Sequence, residues 1–247
     1  MKIIINGSNG RMGKAVARFI EQDADMSAVG FVDINNVAAS DDPIYENLTD
    51  FTGEADCIID FSHHTCTEGL LEYAVSRNIP VVICTTAHTD EEKAMIKAAS
   101  EKIPVFFSAN MSLGIAVMNE ICKTAAKMFP TANIEIIEKH HNQKLDVPSG
   151  TALLLADGIK EIRPTAVYNG GRHENGKRTD EEIGIHSLRM GNVVGEHEVI
   201  INTGTQTLSI KHEAHDRSLF AEGAIAAAKF LCGKAAGFYD MTNIIKD

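Results

Sequence analysis

The sequence predicts an α/β protein with two domains: a parallel, doubly wound sheet, and an α+β domain with a mixed, largely antiparallel sheet. Two observations predict this class. Short apolar segments alternate with helical patterns over residues 2–108, and such alternation with short connections is typical of parallel strands. Three successive segments of alternating apolar and polar residues follow at 184–189, 195–202 and 207–213, which favours antiparallel strands with one open face.

The composition limits the possible classes of protein and partner. The chain has 247 residues, of which 44% are hydrophobic, enough for one large core or two modest ones. It contains no apolar run of about 18 residues, so no membrane span is expected. The net charge of -11 argues against nucleic acid as a partner. Any anionic ligand must therefore be met by a local basic cluster.

The cysteines and the opening segment predict a cytoplasmic protein. Five cysteines are scattered along the chain without a C-x-x-C pair, which indicates free thiols in a reducing compartment. The apolar opening segment turns glycine-rich after residue 5, which is too soon for a secretory signal peptide.

The first half of the chain contains the elements of the predicted parallel sheet. Strands are predicted at residues 2–6, 28–32, 55–61, 80–86 and 104–108. Helical patterns separate them, residues 41–53 are polar and turn-rich, and an apolar helix is predicted at 111–128. Ligands bind beyond the carboxyl ends of such strands. One crevice is therefore expected to be lined by Gly7, Asp33, Ser62, Thr85 and residues 109–110.

A glycine-rich turn at residues 7–13 (GSNGRMG) separates the first strand from a helical pattern, and Asp33 closes the second strand. This is the Rossmann dinucleotide-binding arrangement, in which the turn lets the backbone approach a pyrophosphate and the acid accepts from the adenosine ribose. The alternative is a structural βαβ turn that binds nothing. Arg11 and Lys14 flank the turn, where they would either meet phosphates or form a solvated face.

The polar stretch at residues 135–152 (EIIEKHHNQKLDVPSGTA) predicts the end of a strand, a loop and the start of a helix. Apolar and polar residues alternate towards His141, the loop ends in a proline, and Ser149 can cap the helix. A helix start offers free N–H groups to a carboxylate or phosphate, and His140, His141 and Lys144 lie just before it. The alternative for an adjacent histidine pair is a polar loop without chemistry.

The remaining segments carry weaker signals. Residues 163–179 predict a long, polar, glycine-rich loop, whose length suggests a lid or an interface segment. An alanine-rich helix is predicted at 219–231, and residues 237–245 are predicted to be a tail. The histidine pair at 63–64 and Cys66 follow no common zinc spacing, so no metal site is predicted.

The polar stretch resembles the core motif of the 4-hydroxy-tetrahydrodipicolinate reductases, also called dihydrodipicolinate reductases, of bacterial lysine synthesis. The resemblance covers nearly the whole chain and includes the glycine turn. Shorter matching segments lie at 60–62 (DFS), 85–86 (TT), 109–112 (ANMS), 194–197 (VGEH) and 237–239 (GFY).

The resemblance implies NAD(P)H-dependent reduction of 4-hydroxy-tetrahydrodipicolinate (dihydrodipicolinate) to tetrahydrodipicolinate in diaminopimelate and lysine biosynthesis. It implies that His140 is the catalytic acid/base residue and Lys144 the proton donor, although the residues alone do not decide which delivers the proton. Four residues are implied to hold the substrate carboxylates: His141, Lys144, Gly150 and Thr151. The implied cofactor contacts are Gly7, Ser8, Asn9, Gly10, Arg11, Met12, Asp33, Cys84, Thr85, Thr86, Ser108, Ala109, Asn110 and Met111.

The resemblance also implies how the domains divide the work. Residues 1–111 and 217–247 would form a discontinuous dinucleotide-binding domain. Residues 112–216 would bind substrate and build a homotetramer through their sheet. The expected partners are a small dicarboxylate substrate and a nicotinamide dinucleotide, without nucleic acid or membrane.

Four positions depart from the family pattern. Cys84 and Ala87 replace the glycines that usually flank the threonine pair. Ile34 stands where relatives that use the 2′-phosphate often have arginine, and His63 stands where a basic residue is often found. Because Asp33 would repel a 2′-phosphate and Ile34 does not compensate, NADH is expected to work at least as well as NADPH.

Two rival functions fit part of the pattern. Another nicotinamide enzyme, such as an amino-acid dehydrogenase, accounts for the glycine turn but not for the polar stretch at residues 135–152. A non-enzymatic nucleotide sensor accounts for cofactor binding but leaves the proton-donating loop without a role. Turnover of the substrate would separate these functions.

Overall fold

The structure is a computed structural model that describes residues 1–36 and 43–246. The chain divides into two compact units, Met1–Ser112 with Ser218–Asp247, and Leu113–Arg217. The predicted turn-rich segment at 41–53 lies partly outside the described residues, and its described part contains a two-residue strand and one turn of 3₁₀ helix. None of the helices in this part of the chain is long and apolar enough to cross a membrane.

The described residues form twelve strands and seven α-helices. The strands are β1 (Lys2–Asn6), β2 (Ser27–Val32), β3 (Ile44–Tyr45), β4 (Cys57–Asp60), β5 (Val81–Ile83), β6 (Pro104–Phe107), β7 (Asn133–His140), β8 (Val167–Asn169), β9 (Glu182–Arg189), β10 (Gly195–Asn202), β11 (Thr207–Ala214) and β12 (Gly237–Tyr239). The helices are α1 (Arg11–Glu21), α2 (Thr67–Arg77), α3 (Asp90–Ser100), α4 (Leu113–Met128), α5 (Gly150–Ile162), α6 (Leu219–Leu231) and α7 (Met241–Lys246).

The seven strands that the structure describes in the first unit are all parallel, in the spatial order β12–β6–β5–β4–β1–β2–β3. The prediction of a parallel, doubly wound sheet is confirmed. Ile3, Ile4 and Ile5 are all fully buried, because helices cover both faces of the sheet. Helices α2 and α3 pack on the face that carries Ile4 and Ile58, and α1 and α6 pack together on the other.

The order of the strands fixes where a ligand can bind. From β1 the chain moves outward to β2 and β3, and it returns to β4 on the other side of β1. At such a reversal the connections after neighbouring strands run to opposite faces, which leaves a crevice at the carboxyl ends. The glycine turn after β1 lies at this point.

Two segments of the first unit differ from their predictions. Residues 237–245, predicted to be a tail, contain β12, which pairs with β6, and α7. Three residues are too few for a periodic pattern to show, so the strand follows from its neighbour rather than from local sequence. The strand predicted at 80–86 covers only Val81–Ile83, and beyond it Thr85 donates its hydroxyl to Asp60.

The second unit has a five-stranded mixed sheet in the order β11–β10–β7–β9–β8. The prediction was a mixed, largely antiparallel sheet. The mixed sheet is confirmed, but only two of its four described strand pairs are antiparallel. The pairs β10–β11 and β10–β7 are antiparallel, while β7–β9 and β8–β9 are parallel, because α5 intervenes between β7 and β9 and returns the chain in the same direction. Strand β8 lies inside the stretch predicted as a loop at 163–179, and its three residues give no periodic signal.

Helices α4 and α5 pack on one face of the second sheet. The predicted alternation in β7 is confirmed, with Ile134 and Ile136 buried in the core beneath the helices. The same alternation continues to Glu138 and His140, which are also buried. The end of β7 therefore places two ionisable side chains on the face that is covered from solvent.

We expect Gly13→Ala to destabilise the first unit. A Cβ at this position would lie 2.3 Å from the Gly7 carbonyl oxygen and 2.6 Å from the Ser8 Cα, and backbone atoms cannot move aside without shifting the turn. Overpacking of this kind costs about 1–3 kcal/mol, so differential scanning calorimetry should show a lower unfolding temperature.

The matched control is Gly69→Ala, also within a helix, where a Cβ would meet nothing within 4 Å. This change should stabilise the protein by about 0.5–1 kcal/mol, because alanine restricts the unfolded chain and favours the helix. Equal unfolding temperatures for the two variants would contradict the close approach inferred at the turn.

Candidate active site

A cleft at the carboxyl ends of β1, β2, β4 and β5 contains most of the predicted cofactor residues. It has two adjoining parts, of about 580 and 520 Å³, which share Phe61, Ser62 and His63. The first part is lined by Gly7, Gly10 and Asp33, and the second by Met12, Cys84, Thr85, Thr86, Ala109 and Met111. The other five predicted cofactor residues are neighbours of lining residues in the sequence, but they do not line the cleft themselves: Ser8, Asn9, Arg11, Ser108 and Asn110.

The glycine turn brings backbone close to backbone. Gly7 has a φ of +79°, and a Cβ there would lie 2.6 Å from the Phe61 carbonyl oxygen, so both the conformation and the space require glycine. Helix α1 begins after Gly10, without a side-chain cap and without an acidic residue in its first turn. The first N–H groups of a helix have no intrahelical partner, and this arrangement suits the pyrophosphate of a dinucleotide.

Asp33 ties the glycine turn to the end of β2. Its carboxylate accepts from the Asn9 N–H at 2.9 Å and from the Asn35 N–H at 2.9 Å. A carboxylate has about four acceptor sites, so capacity remains for ribose hydroxyls. Glu46 lines the same part of the cleft, and the described lining residues there include neither lysine nor arginine.

Asp60, which sequence reasoning left without a role, joins three strand ends beneath the cleft. The buried carboxylate accepts from Asn6 Nδ2 at 2.7 Å, from Ser62 Oγ at 2.6 Å and from Thr85 Oγ1 at 2.7 Å. Asn6 ends β1, Asp60 ends β4, and Thr85 follows β5. The available signal was an aspartate at the end of an otherwise apolar strand, which is an unfavourable place for a carboxylate unless it is hydrogen-bonded.

The segment after β6 is fixed by local hydrogen bonds and by a glycine. Ser108 Oγ donates to the Asn110 carbonyl at 2.8 Å, and the Asn110 side-chain oxygen accepts from the Ser112 N–H at 2.9 Å. A Cβ at Gly223 of α6 would lie 1.7 Å from the Met111 carbonyl oxygen. Close packing of α6 thus holds Met111 at the second part of the cleft.

In the second unit, Glu138 connects the predicted catalytic and substrate residues. It is 0% exposed, and it accepts a two-pronged contact from Arg189 with both N···O distances at 2.8 Å. It also accepts from His140 Nδ1 at 2.5 Å and from the Ser149 N–H at 3.1 Å. Burial alone would raise the pKa of Glu138, yet hydrogen bonds led by that from Arg189 outweigh it and lower this pKa to about 2.

His140 lies at the end of β7 against a second buried histidine. The rings of His140 and His197 are 5.1 Å apart and nearly perpendicular. Burial is the largest influence on both and lowers the pKa of each ring, that of His197 to about 3. Both rings are therefore neutral near pH 7. A Cβ at Gly195 would lie 3.0 Å from His140 Nε2, so this glycine leaves room for the imidazole.

The loop after β7 holds Lys144. The Lys144 ammonium pairs with the Asp146 carboxylate at 2.9 Å. The backbone N–H of Lys144 donates to the His141 carbonyl oxygen. Arg189, which contacts Glu138, also donates to the Asp146 carbonyl oxygen at 2.6 Å. The Lys144 loop and the His140 ring are thus connected through the Arg189 guanidinium and the Glu138 carboxylate.

The start of α5 is built as predicted. Ser149 caps the helix by accepting from the Ala152 N–H at 3.2 Å, and it lies 3.0 Å from His197 Nε2. Gly150 is exposed, and a Cβ there would meet nothing within 4 Å. Thr151 is half-buried beside it. The Gly150 N–H donates to the Asp146 carboxylate, whose pKa is lowered chiefly by Lys144 and in part by this contact. The helix start thus already binds one carboxylate of the protein itself.

Sequence reasoning identified the polar stretch but missed two of its partners. Arg189 lies 51 residues from Glu138, and His197 lies 48 residues from Ser149. Both face the stretch from neighbouring strands, β9 and β10. The sequence signal for both was a charged or titratable residue in a strand at a position that faces the core. His197 also belongs to the segment at 194–197 (VGEH) that matches the family pattern.

Comparison with known families matches both units. Residues 1–111 match the family described as "Dihydrodipicolinate reductase, N-terminus", and residues 114–245 match "Dihydrodipicolinate reductase, C-terminus". The 4-hydroxy-tetrahydrodipicolinate reductase of Caldanaerobacter subterraneus subsp. tengcongensis is 44% identical over 100% of this chain and 98% of its own. That of Clostridium novyi is 43% identical over 99% and 98%.

Solved structures agree with these matches. The chain is similar to the dipicolinate-bound dihydrodipicolinate reductase from Paenisporosarcina sp. TG-14, with a TM-score of 0.85, 26% identity, and 99% of both chains covered. The C. glutamicum DAP dehydrogenase shares the fold, with a TM-score of 0.61 at 12% identity over 98% and 93% of the two chains. On the full-length matches to both halves, this chain belongs to the dihydrodipicolinate reductase family.

Proposed function

We propose that the protein reduces 4-hydroxy-tetrahydrodipicolinate to tetrahydrodipicolinate with NADH or NADPH, as a step of diaminopimelate and lysine biosynthesis in the cytoplasm. The observation that carries the proposal is the convergence of the polar stretch on Glu138, which contacts His140 and Ser149 and reaches the Lys144 loop through Arg189. The five cysteines are all unpaired, which suits a reducing compartment.

The first unit is proposed to hold the dinucleotide, which supplies the hydride when bound. The N–H groups at the start of α1, with the exposed Arg11 and Lys14 beside them, would bind the pyrophosphate. Asp33 would accept from the adenosine ribose in the first part of the cleft. The second part, lined by Thr85, Thr86 and Met111, would take the nicotinamide.

The second unit is proposed to hold the substrate by its two carboxylates. The N–H groups of Gly150 and Thr151 would bind one carboxylate at the start of α5, where the substrate would replace Asp146 as the partner of the Gly150 N–H. His141 and the Lys144 ammonium would bind the other. Holding both ends of a small ring fixes its orientation, so much of the rate enhancement comes from position.

Proton transfer is assigned to Lys144 and His140. The Lys144 ammonium, which pairs with Asp146 at 2.9 Å, would donate a proton as the ring is reduced. His140 has its Nδ1 directed at an ionised carboxylate, so its Nε2 is the atom available for exchange. Lys144 would thus be the proton donor, and His140 would exchange a proton through Nε2. His140 and Glu138 are buried at the end of β7, so bulk water is excluded from this part of the site.

A coupled assay tests the proposed function. Dihydrodipicolinate synthase, pyruvate and aspartate semialdehyde generate the substrate, and the absorbance of NAD(P)H reports its reduction. Oxidation that depends on the synthase supports the proposal. Cofactor binding without oxidation indicates a nucleotide sensor, and oxidation of another substrate alone indicates a different dehydrogenase.

In this assay we expect Lys144→Ala to lower kcat about 100-fold or more, the usual effect of losing a general acid. Lys123→Ala is the matched control, because Lys123 also belongs to the second unit and forms ion pairs, with Glu120 and Glu161. The control should retain kcat within about twofold, since solvent-accessible ion pairs contribute little. Wild-type turnover in Lys144→Ala would rule out its role as the acid.

For the cofactor we expect kcat/KM for NADH to equal or exceed that for NADPH. Asp33 and Glu46 would repel a 2′-phosphate in the first part of the cleft, and Ile34 beside them is 85% exposed and uncharged. Ile34→Arg should favour NADPH by about tenfold relative to wild type, since a charge-assisted hydrogen bond contributes about 1.5–3 kcal/mol. A hundredfold preference of the wild type for NADPH would contradict this assignment.

We also propose that the protein is a homotetramer built through the second sheet. On the face away from α4 and α5, Ile137 and Ile200 are only half-buried and Leu188 is 40% exposed, an arrangement that suits packing against another chain. Sedimentation should give about four times the chain mass of 26.8 kDa. Leu188→Glu should dissociate the assembly, whereas Met128→Glu, an exposed position on α4, should not. A monomeric wild type would refute the proposal.

A further inference from the structure

We infer that Glu138 is a positioning residue of the reaction, which fixes the tautomer of His140 and aligns that ring with the substrate-binding start of α5. The inference rests on the proposed function, in which His140 exchanges a proton. In the proposed reaction Glu138 contacts neither substrate nor cofactor. It acts through the His140 ring and through Ser149 at the start of α5, both of which it holds in place.

The first argument is that one carboxylate joins three separate segments. Glu138 lies on β7 and accepts from His140 on the same strand, from the Ser149 N–H before α5 and from Arg189 on β9. A carboxylate without bulk water and with at least four hydrogen bonds has no freedom to rotate. The distance between the imidazole and the helix start is therefore set by a single rigid group.

The second argument concerns the proton on His140. An ionised carboxylate can only accept, so the Nδ1 of His140 must carry the hydrogen, and the neutral ring leaves Nε2 without one. Arg189 ensures that the carboxylate stays ionised, because its two N–H groups face both oxygens at 2.8 Å. Without this partner, the two tautomers of a neutral imidazole would compete.

The third argument is that Ser149 is held from both sides. Its N–H donates to Glu138, and its Oγ accepts from the Ala152 N–H and lies 3.0 Å from His197 Nε2. The Ser149 hydroxyl and His197 Nε2 form a hydrogen bond whose donor depends on the tautomer of the His197 ring. The helix start cannot shift without breaking contacts to β7 and β10 together.

A purely structural role is the alternative, and the same strand provides a comparison. Glu135 faces the opposite side of β7 and pairs with His186 at 2.8 Å and Arg178 at 2.9 Å. This group repeats the carboxylate, imidazole and guanidinium of Glu138, but its contacts among the described residues do not include the start of α5, and the Glu135 side chain is partly exposed. The two glutamates therefore separate a positioning role from simple ion pairing on β7.

The test is Glu138→Gln, which keeps the size of the side chain and removes its charge. We expect kcat to fall about 100-fold or more, the scale of lost acid–base catalysis, with KM for the dinucleotide unchanged within about twofold. The carboxylate stabilises the protonated ring, so its loss should move the pH limb that belongs to His140 to lower pH. In ¹⁵N spectra of histidine-labelled protein, His140 should change from the Nδ1–H form to a mixture.

A double-mutant cycle decides whether Glu138 acts through His140. In a His140→Gln background, Glu138→Gln should lower kcat by less than about threefold further, because residues that act as a unit are not additive. If Glu138→Gln lowers kcat by the same factor in the His140→Gln background as in the wild type, Glu138 contributes independently of His140. That result would overturn the inference. So would an unchanged tautomer of His140 in the single variant.

Controls separate folding, ion pairing and the proposed function. Glu135→Gln should retain kcat within about twofold. An equal loss of kcat in this variant would overturn the inference, because it would show that breaking any ion pair on β7 lowers activity.

If Glu138→Gln does not fold, Arg189→Lys replaces it. We expect kcat to fall about tenfold in that variant, because the two-pronged guanidinium contact is lost while the charge remains. An unchanged kcat and tautomer in that variant would overturn the inference. A wild type without turnover would refute the proposed function, and the tautomer measurement would still decide the role of Glu138.

Discussion

The candidate site of the second unit depends on one fully buried charge, the Glu138 carboxylate, which pairs with the partly exposed Arg189 guanidinium. An isolated buried carboxylate is very unfavourable, and it is tolerated only when a partner and further hydrogen bonds replace its hydration. That requirement explains why His140, Ser149 and Arg189 converge on one point. Each supplies an N–H group that the carboxylate needs, and each is fixed in return. Order at the site is thus a consequence of satisfying one buried charge.

The first unit meets a comparable constraint with a different residue. Asp60 ends a strand whose other residues are buried and apolar, and it is satisfied by side chains from β1, from its own connection and from the residue after β5. In both units a buried acid at the carboxyl end of a strand organises the surrounding loops. The glycine turn adds a steric constraint, because Gly7 and Gly13 lie where any side chain would strike the backbone. The hydrogen bonds to Asp60 and the close backbone contacts at Gly7 and Gly13 together determine the shape of the cleft.

The fold was predictable wherever the signal was local. Continuous apolar strands, the glycine turn and the alternation in β7 each follow from neighbouring residues, so the parallel sheet and the cap at Ser149 could be read directly. Strands β8 and β12 could not, because three residues carry no period and depend on pairing partners. The site was predictable to the extent that it lies in one stretch. Arg189 and His197 reach it across strand pairings, and the direction of β9 beside β7 is set by the crossover through α5.

The first unit is assembled from both ends of the chain. Helix α6 supplies buried side chains such as Ala221, Ala224 and Leu231, and β12 completes the sheet beside β6. During synthesis on a ribosome, the core of the first unit therefore cannot close before residues 218–246 have been made. The second unit is contiguous and can mature while the rest of the polypeptide is still emerging. Folding of the second unit therefore does not depend on residues 218–246, whereas folding of the first unit does.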